Sequence, residues 1–114
     1  MIQTIGILQQ KQVAAMTLSC SPTTVYLSTL GGAESGYTNT VTVTATTGNS
    51  WTASILSGDT WIKINGSTGG SATGIGNGSF VISTVKYFGS RSGTVRVLDS
   101  VSNSVTITVG QNVI

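Results

Sequence analysis

Residues 38–46 read TNTVTVTAT, and this alternation decides the fold. Successive side chains of an extended chain point to opposite faces, so Val41, Val43 and Ala45 share one face and Thr40, Thr42, Thr44 and Thr46 the other. A segment with one oily and one hydroxylated face belongs to a sheet packed on one side and wet on the other. Threonine suits the wet side, because its branched β-carbon favours extended backbone while its hydroxyl meets water. The pattern returns in residues 104–109, where Val105, Ile107 and Val109 alternate with Thr106 and Thr108. It returns again in residues 94–98, TVRVL, with Val95 and Val97 inward and Arg96 outward.

Weaker period-two lines complete the set. Met16, Leu18 and Cys20 alternate with Thr17 and Ser19 before Pro22, and Val25 and Leu27 alternate with Tyr26 and Ser28 after it. Proline fixes its own φ and lacks a ladder donor, so Pro22 is expected to divide one edge strand into two pieces. Trp51, Ala53 and Ile55 form a further line, residues 61–64 (WIKI) a short one, and Phe80, Ile82 and Thr84 another. Turn signals separate these segments: Gly31-Gly32, Thr47-Gly48-Asn49, Ser57-Gly58-Asp59, Asn65-Gly66 and Ser92-Gly93. Asn65-Gly66 alone predicts a tight type I′ hairpin. The glycine-rich residues 66–78, GSTGGSATGIGNG, read instead as a long loop, with the next convincing strand near Ser79.

No amphipathic helix of three turns is present. About seven strands, each with one wet face and no helices to cover the other, must cover their apolar faces with each other. The expected fold is all-β, an immunoglobulin-like antiparallel β-sandwich. With Cys20 as the only cysteine, the likeness is one of architecture without the immunoglobulin disulfide.

Composition narrows the function. The 114 residues hold no histidine, one cysteine, three acidic residues and five basic ones, and chemistry needs groups that titrate or coordinate. Cys20 has no histidine base, and no serine or threonine has one either. Glu34, Asp59 and Asp99 lie far apart in sequence and form no calcium-loop pattern. No catalytic residue, metal site or cofactor is expected. Lys11, Lys63, Lys86, Arg91 and Arg96 are scattered, whereas nucleic-acid footprints concentrate their cations, so nucleic acid is not an expected partner. No stretch reaches the roughly 20 apolar residues of a membrane helix, and the first sixteen residues do not form a signal peptide. A chain of this kind works by shape and contact.

The order of motifs resembles the BACON domain. The resemblance covers residues 18–112 and rests on an early Ser21-Pro22, on Trp51, on Trp61-Ile62-Lys63-Ile64, on the glycine-rich segment, on FVIST at 80–84, on Arg91-Ser92-Gly93-Thr94 leading into VRV, and on the closing VTITVGQ. Members are immunoglobulin-like modules of Bacteroidetes and of the phages that infect them, often attached to secreted carbohydrate-active enzymes and credited with glycan binding. The resemblance implies a fold signature at Trp51, Trp61, Ile64, Arg91, Gly93, Val97, Val109 and Gln111, none of them catalytic. The domain limits expected from it are an extended N-terminal arm over 1–15, the BACON-like sandwich over 16–112, and a short tail at 113–114.

A stand-alone module with an arm and no export signal looks more like a virion component than a secreted enzyme accessory. The expectation is a non-enzymatic phage protein, a capsid auxiliary (decoration or cement) protein made in the host cytoplasm and carried in the virion. Its partner would be other virion proteins, above all the major capsid protein, with no role for membrane. Ile2, Ile5, Ile7 and Leu8 are too apolar for a solvated tail and are the leading partner-binding candidates, together with the aromatic pair Tyr87-Phe88. The bland reading of the arm is a strand folded on its own sheet. The alternative function is a carbohydrate-binding module or a tail-associated adhesion domain, with Trp51, Trp61 and Tyr37 as glycan platforms, although the parity of both tryptophans favours the core. Tyr26 is also placed for exposure. Arg91 and Arg96 can meet carboxylates on a partner, though such residues more often pair locally or solvate a strand. Pro22, Arg91, Gly93 and Gln111 are expected to be structural.

Overall fold

The computed structural model describes residues 15–28, 38–85 and 89–112. Among these residues every regular element is a strand: β1 Leu18–Ser21, β2 Thr24–Ser28, β3 Asn39–Ala45, β4 Ser50–Ser57, β5 Ile62–Ile64, β6 Ser67–Thr68, β7 Ala72–Ile75, β8 Gly78–Thr84, β9 Arg91–Asp99 and β10 Ser104–Asn112. They form two five-stranded sheets, ordered β2-β10-β9-β4-β7 and β1-β3-β8-β5-β6. The fold is the expected all-β sandwich. Its pairing is antiparallel except that β2 runs parallel to β10, with Val25 opposite Val109.

Alternation does the folding work. In β3 Val41, Val43 and Ala45 are buried and the threonines between them exposed, and β9 and β10 bury Val95, Val97, Ile107 and Val109 from the other sheet. The two inner faces meet in one cluster that also holds Trp51, Phe80, Ile62 and Ile64. Pro22, which follows a cis peptide bond, stands between β1 and β2. The expectation of one divided edge strand needs correcting: both pieces are edges, but of different sheets, β1 beside β3 and β2 beside β10.

The segment 66–78 also departs from expectation. It contains two strands and the start of a third. Asn65 and Gly66 take φ of 52° and 83°, the pair of positive values that a type I′ turn demands, and Ile64 pairs with Ser67 across it. The Asn65 side chain then accepts a hydrogen bond from the Val81 N–H at 2.9 Å, which ties the turn to β8. Beyond this hairpin the chain changes sheets, and β7 pairs with β4 from Ser50–Ile75 to Ala53–Ala72.

Trp51 accounts for two glycines of this segment, Gly74 and Gly78. Its indole is 3% exposed, donates from Nε1 to the Gly76 carbonyl at 2.9 Å, and lies tilted against Phe80 at 6.2 Å. A Cβ on Gly74 would fall 2.3 Å from the ring's Cζ2, and one on Gly78 2.9 Å from the same atom. The glycines thus leave room for the largest core side chain to pass beside the backbone. Gly74→Ala should cost about 2–3 kcal/mol as overpacking against a ring with nowhere to go, read as a lower denaturant midpoint with unchanged slope.

Thr84 is the opposite case. It is fully buried at the end of β8, and its hydroxyl has no hydrogen-bond partner. Burying an unpaired hydroxyl is unfavourable, so Thr84→Val is expected to raise stability by about 1 kcal/mol in the same titration. A loss instead would mean that the hydroxyl is satisfied.

Candidate binding face

The residues singled out from sequence separate into three groups. Ile2, Ile5, Ile7, Leu8, Tyr37, Tyr87 and Phe88 lie outside the described residues. Trp51 and Trp61 are in the core, 3% and 8% exposed, so neither offers a free indole face and the glycan role considered for them is withdrawn. Pro22, Arg91, Gly93 and Gln111 are built into the framework: Gly93, for example, leaves no room for a Cβ, which would meet the Ser57 carbonyl oxygen at 2.5 Å.

Arg91 and Gln111 close one end of the sandwich. Gln111 is wholly buried, accepts from Arg91 Nε at 2.8 Å, and donates from Nε2 to the Val85 carbonyl at 2.9 Å. Arg91 Nη2 donates to the same carbonyl at 3.1 Å, and the guanidinium lies 4.4 Å from the centre of the Trp61 ring. The arginine therefore spends its donors on the fold while its flat face covers the indole.

Asp99 closes the other end. Its Oδ1 accepts from the backbone N–H groups of Val101 and Asn103, and its Oδ2 from the side-chain amides of Asn49 and Asn103. Asn49, itself fully buried, also donates to the Thr17 carbonyl, and Asn103 donates to that of Met16. Burial alone would raise the Asp99 pKa. The hydrogen bonds from Asn49, Asn103 and Val101 outweigh it and hold the carboxyl below its ordinary value.

Among the described residues, one surface open to a partner is the outer face of the β2-β10-β9-β4-β7 sheet. Between the inward residues, β9 turns Thr94, Arg96 and Leu98 outward, with Thr106 on β10 and Ser54 on β4 beside Arg96. A register shift at Thr94/Val95 accompanies Leu56, which is 52% exposed. Ile75 stands at the β7 edge, 71% exposed. At the opposite margin Tyr26 is 64% exposed and its ring covers Gly110, where a Cβ would come within 2.5 Å of it. Tyr26, Ser90, Arg91, Ser92 and Gly110 line an open groove of about 310 Å³. The alternating pattern foretold the hydroxyls and the exposure of Tyr26. Leu56 faces outward by the same parity, out of phase with Trp51, Ala53 and Ile55.

Reactive chemistry is sparse here. Among the described residues no three His, Cys, Asp or Glu side chains gather as metal ligands, and burial pushes the half-buried Cys20 thiol up, so it stays protonated at neutral pH. Also among them, no helix is long and apolar enough to cross a membrane. The face can bind through hydroxyls, one guanidinium and exposed apolar groups.

Two solved structures share this backbone arrangement. A GH5 xyloglucanase from Bacteroides ovatus, in complex with a XXXG heptasaccharide, matches with a TM-score of 0.62 and 19% identity over 86% of this chain. This chain spans only 19% of that enzyme. A lipoprotein from Bacteroides thetaiotaomicron, solved by solution NMR, matches with a TM-score of 0.52 and 13% identity, covering 92% of this chain and 85% of the other. The likeness is one of fold. No family model matches the sequence, and no curated protein matches it.

The Asp99 cluster sets the response to acid. A folded-state pKa below the unfolded value gives stability that is present above about pH 4 and is lost as pH falls through the lower folded value. Asp99→Asn should lower the thermal midpoint at neutral pH and flatten its decline between about pH 5 and about pH 2. An unchanged acid limb in the variant would assign that limb to another carboxyl.

Proposed function

We propose that this protein is a non-enzymatic assembly module of the BACON-like type, serving as a capsid auxiliary protein that binds other virion proteins of a phage. The observation that carries the reading is the outer face of the five-stranded sheet. Strong polar groups elsewhere, those of Asp99, Asn49, Arg91 and Gln111, are engaged within the fold, whereas this face leaves Leu56, Leu98, Ile75 and Tyr26 exposed among hydroxyls. A surface of low charge and mixed apolar and hydroxyl character is cheap to desolvate against another protein. The apolar Ile2, Ile5, Ile7 and Leu8 ahead of the sandwich supply a second contact, and two contacts joined in one chain reinforce each other. The likeness to two Bacteroides proteins supports the sandwich fold on which this reading builds.

A second reading has its own observation in favour. Tyr26 presents an open ring beside the groove at Gly110, a platform on which a sugar could stack. It makes the protein a carbohydrate-binding module.

Sedimentation of purified particles separates the two readings. Under the first, the full-length protein travels with particles at a fixed ratio, and deletion of residues 1–12 lowers its occupancy by about tenfold or more. Absence from particles, combined with retardation in glycan-containing gels that Tyr26→Ala abolishes, would replace the first reading by the second.

A further inference from the structure

β7 is the last strand of its sheet, and its pairing with β4 leaves half of its backbone groups turned outward. The Gly76 N–H donates to the Asn49 carbonyl at 2.9 Å, and the same register continues through Trp51–Gly74 to Ala53–Ala72. In an antiparallel pair alternate residues turn their N–H and C=O toward the partner strand, so those of Gly74 face β4 and those of Thr73 and Ile75 face away. Among the described residues no strand meets that side. Thr73 beside it is exposed, and the Ile75 side chain is 71% exposed.

An open edge dictates the chemistry of its occupant, which must be an extended backbone with its own N–H and C=O groups at strand spacing. Natural edges are blunted by proline, by lysine or by extreme shortness. β1 and β2 flank Pro22, and β6 has two residues and lies beside Lys63. Residues 66–78, which contain β7, carry neither a charge nor a proline. This edge is left fit for pairing.

We infer that β7 is a homotypic interface, at which the edge of one copy pairs antiparallel with the same edge of a second copy. Self-complementarity is what singles out a second copy. A two-fold axis beside Gly74 sets Thr73 opposite Ile75 of the other copy, and every outward N–H then meets an outward carbonyl. The two Ile75 side chains come onto the same outer face as diagonal neighbours, roughly 7–8 Å apart, and cover each other. No ionised side chain in either strand repels its image. A strand of four residues buries less than the roughly 1,000 Å² of a stable complex, so free copies pair only when concentrated. Copies held side by side on one surface meet at high effective concentration, and there the edge takes effect. This contact goes beyond the assembly reading and does not depend on which other protein the module binds.

Amide hydrogen exchange of the full-length protein, compared at about 10 μM and about 1 mM, tests the pairing. The Thr73 and Ile75 amides should exchange freely when dilute and slow by about fivefold or more when concentrated, as sedimentation equilibrium shows a dimer. Ile75→Lys and Ile75→Glu, at a side chain outside the core, should each abolish the slowing. An equal mixture of the two variants should restore it, because the diagonal positions then carry opposite charges. An unchanged Trp51 indole signal reports that each variant is folded. Amides slow at both concentrations would mean that the edge is covered within one chain, and amides fast at both that it stays open; either overturns the inference. A dimer that leaves Thr73 and Ile75 unaffected, or a mixture that restores nothing, overturns the two-fold pairing. None of these outcomes bears on whether the protein travels with particles, so failure here and failure of the assembly reading are told apart.

Discussion

The burial of the Trp51 indole is the constraint on which the sandwich depends. A ring of that size beside the backbone of β7 requires glycine at 74 and 78, and its buried N–H requires an acceptor, which the Gly76 carbonyl provides. These demands fix where the chain must run after the Asn65-Gly66 hairpin: across to β4, along it for four residues, and back to β8. Phe80 follows directly and meets the ring from the other sheet. One side chain thus links β4, β7 and β8, and joins two sheets that share no disulfide.

Much of this fold was legible because its strands advertise themselves. Residues 38–46 and 104–109 alternate so regularly that their buried and exposed faces follow from parity alone, and both tryptophans take the core positions that parity gives them. Residues 66–78 were not legible as strands. Glycine lowers intrinsic strand preference, and here each critical glycine answers to a ring more than twenty residues earlier. Local composition records the price of that packing but not the partner that demands it. The parallel pairing of β2 with β10 was hidden for the same reason, since strand direction is settled by long-range topology. Of the binding face, the hydroxyls and the outward Arg96 could be read from alternation. Leu56 follows from the same parity, whereas the sealed Nε could not be read, because it depends on neighbours in other strands.

Polar groups finish what the core begins. At one end Gln111 and Arg91 share the Val85 carbonyl and cover Trp61; at the other Asp99 gathers Asn49, Asn103 and the turn between β9 and β10. Every strong donor or acceptor there has its partner, which is how buried polar networks specify a single packing. Among the described residues, the Thr84 hydroxyl and the Arg96 Nε are the buried side-chain groups left without a partner.

The two ends of the described chain also leave from opposite poles. β1 begins beside Asn103 and Asn49, whereas β10 finishes beside Arg91. Tension applied between those poles pulls β2 and β10 lengthwise past each other, because they run parallel and lie side by side from Thr24 to Ser28. The hydrogen bonds of that pair then share the load together instead of opening one after another. Such an arrangement resists stretching from pole to pole.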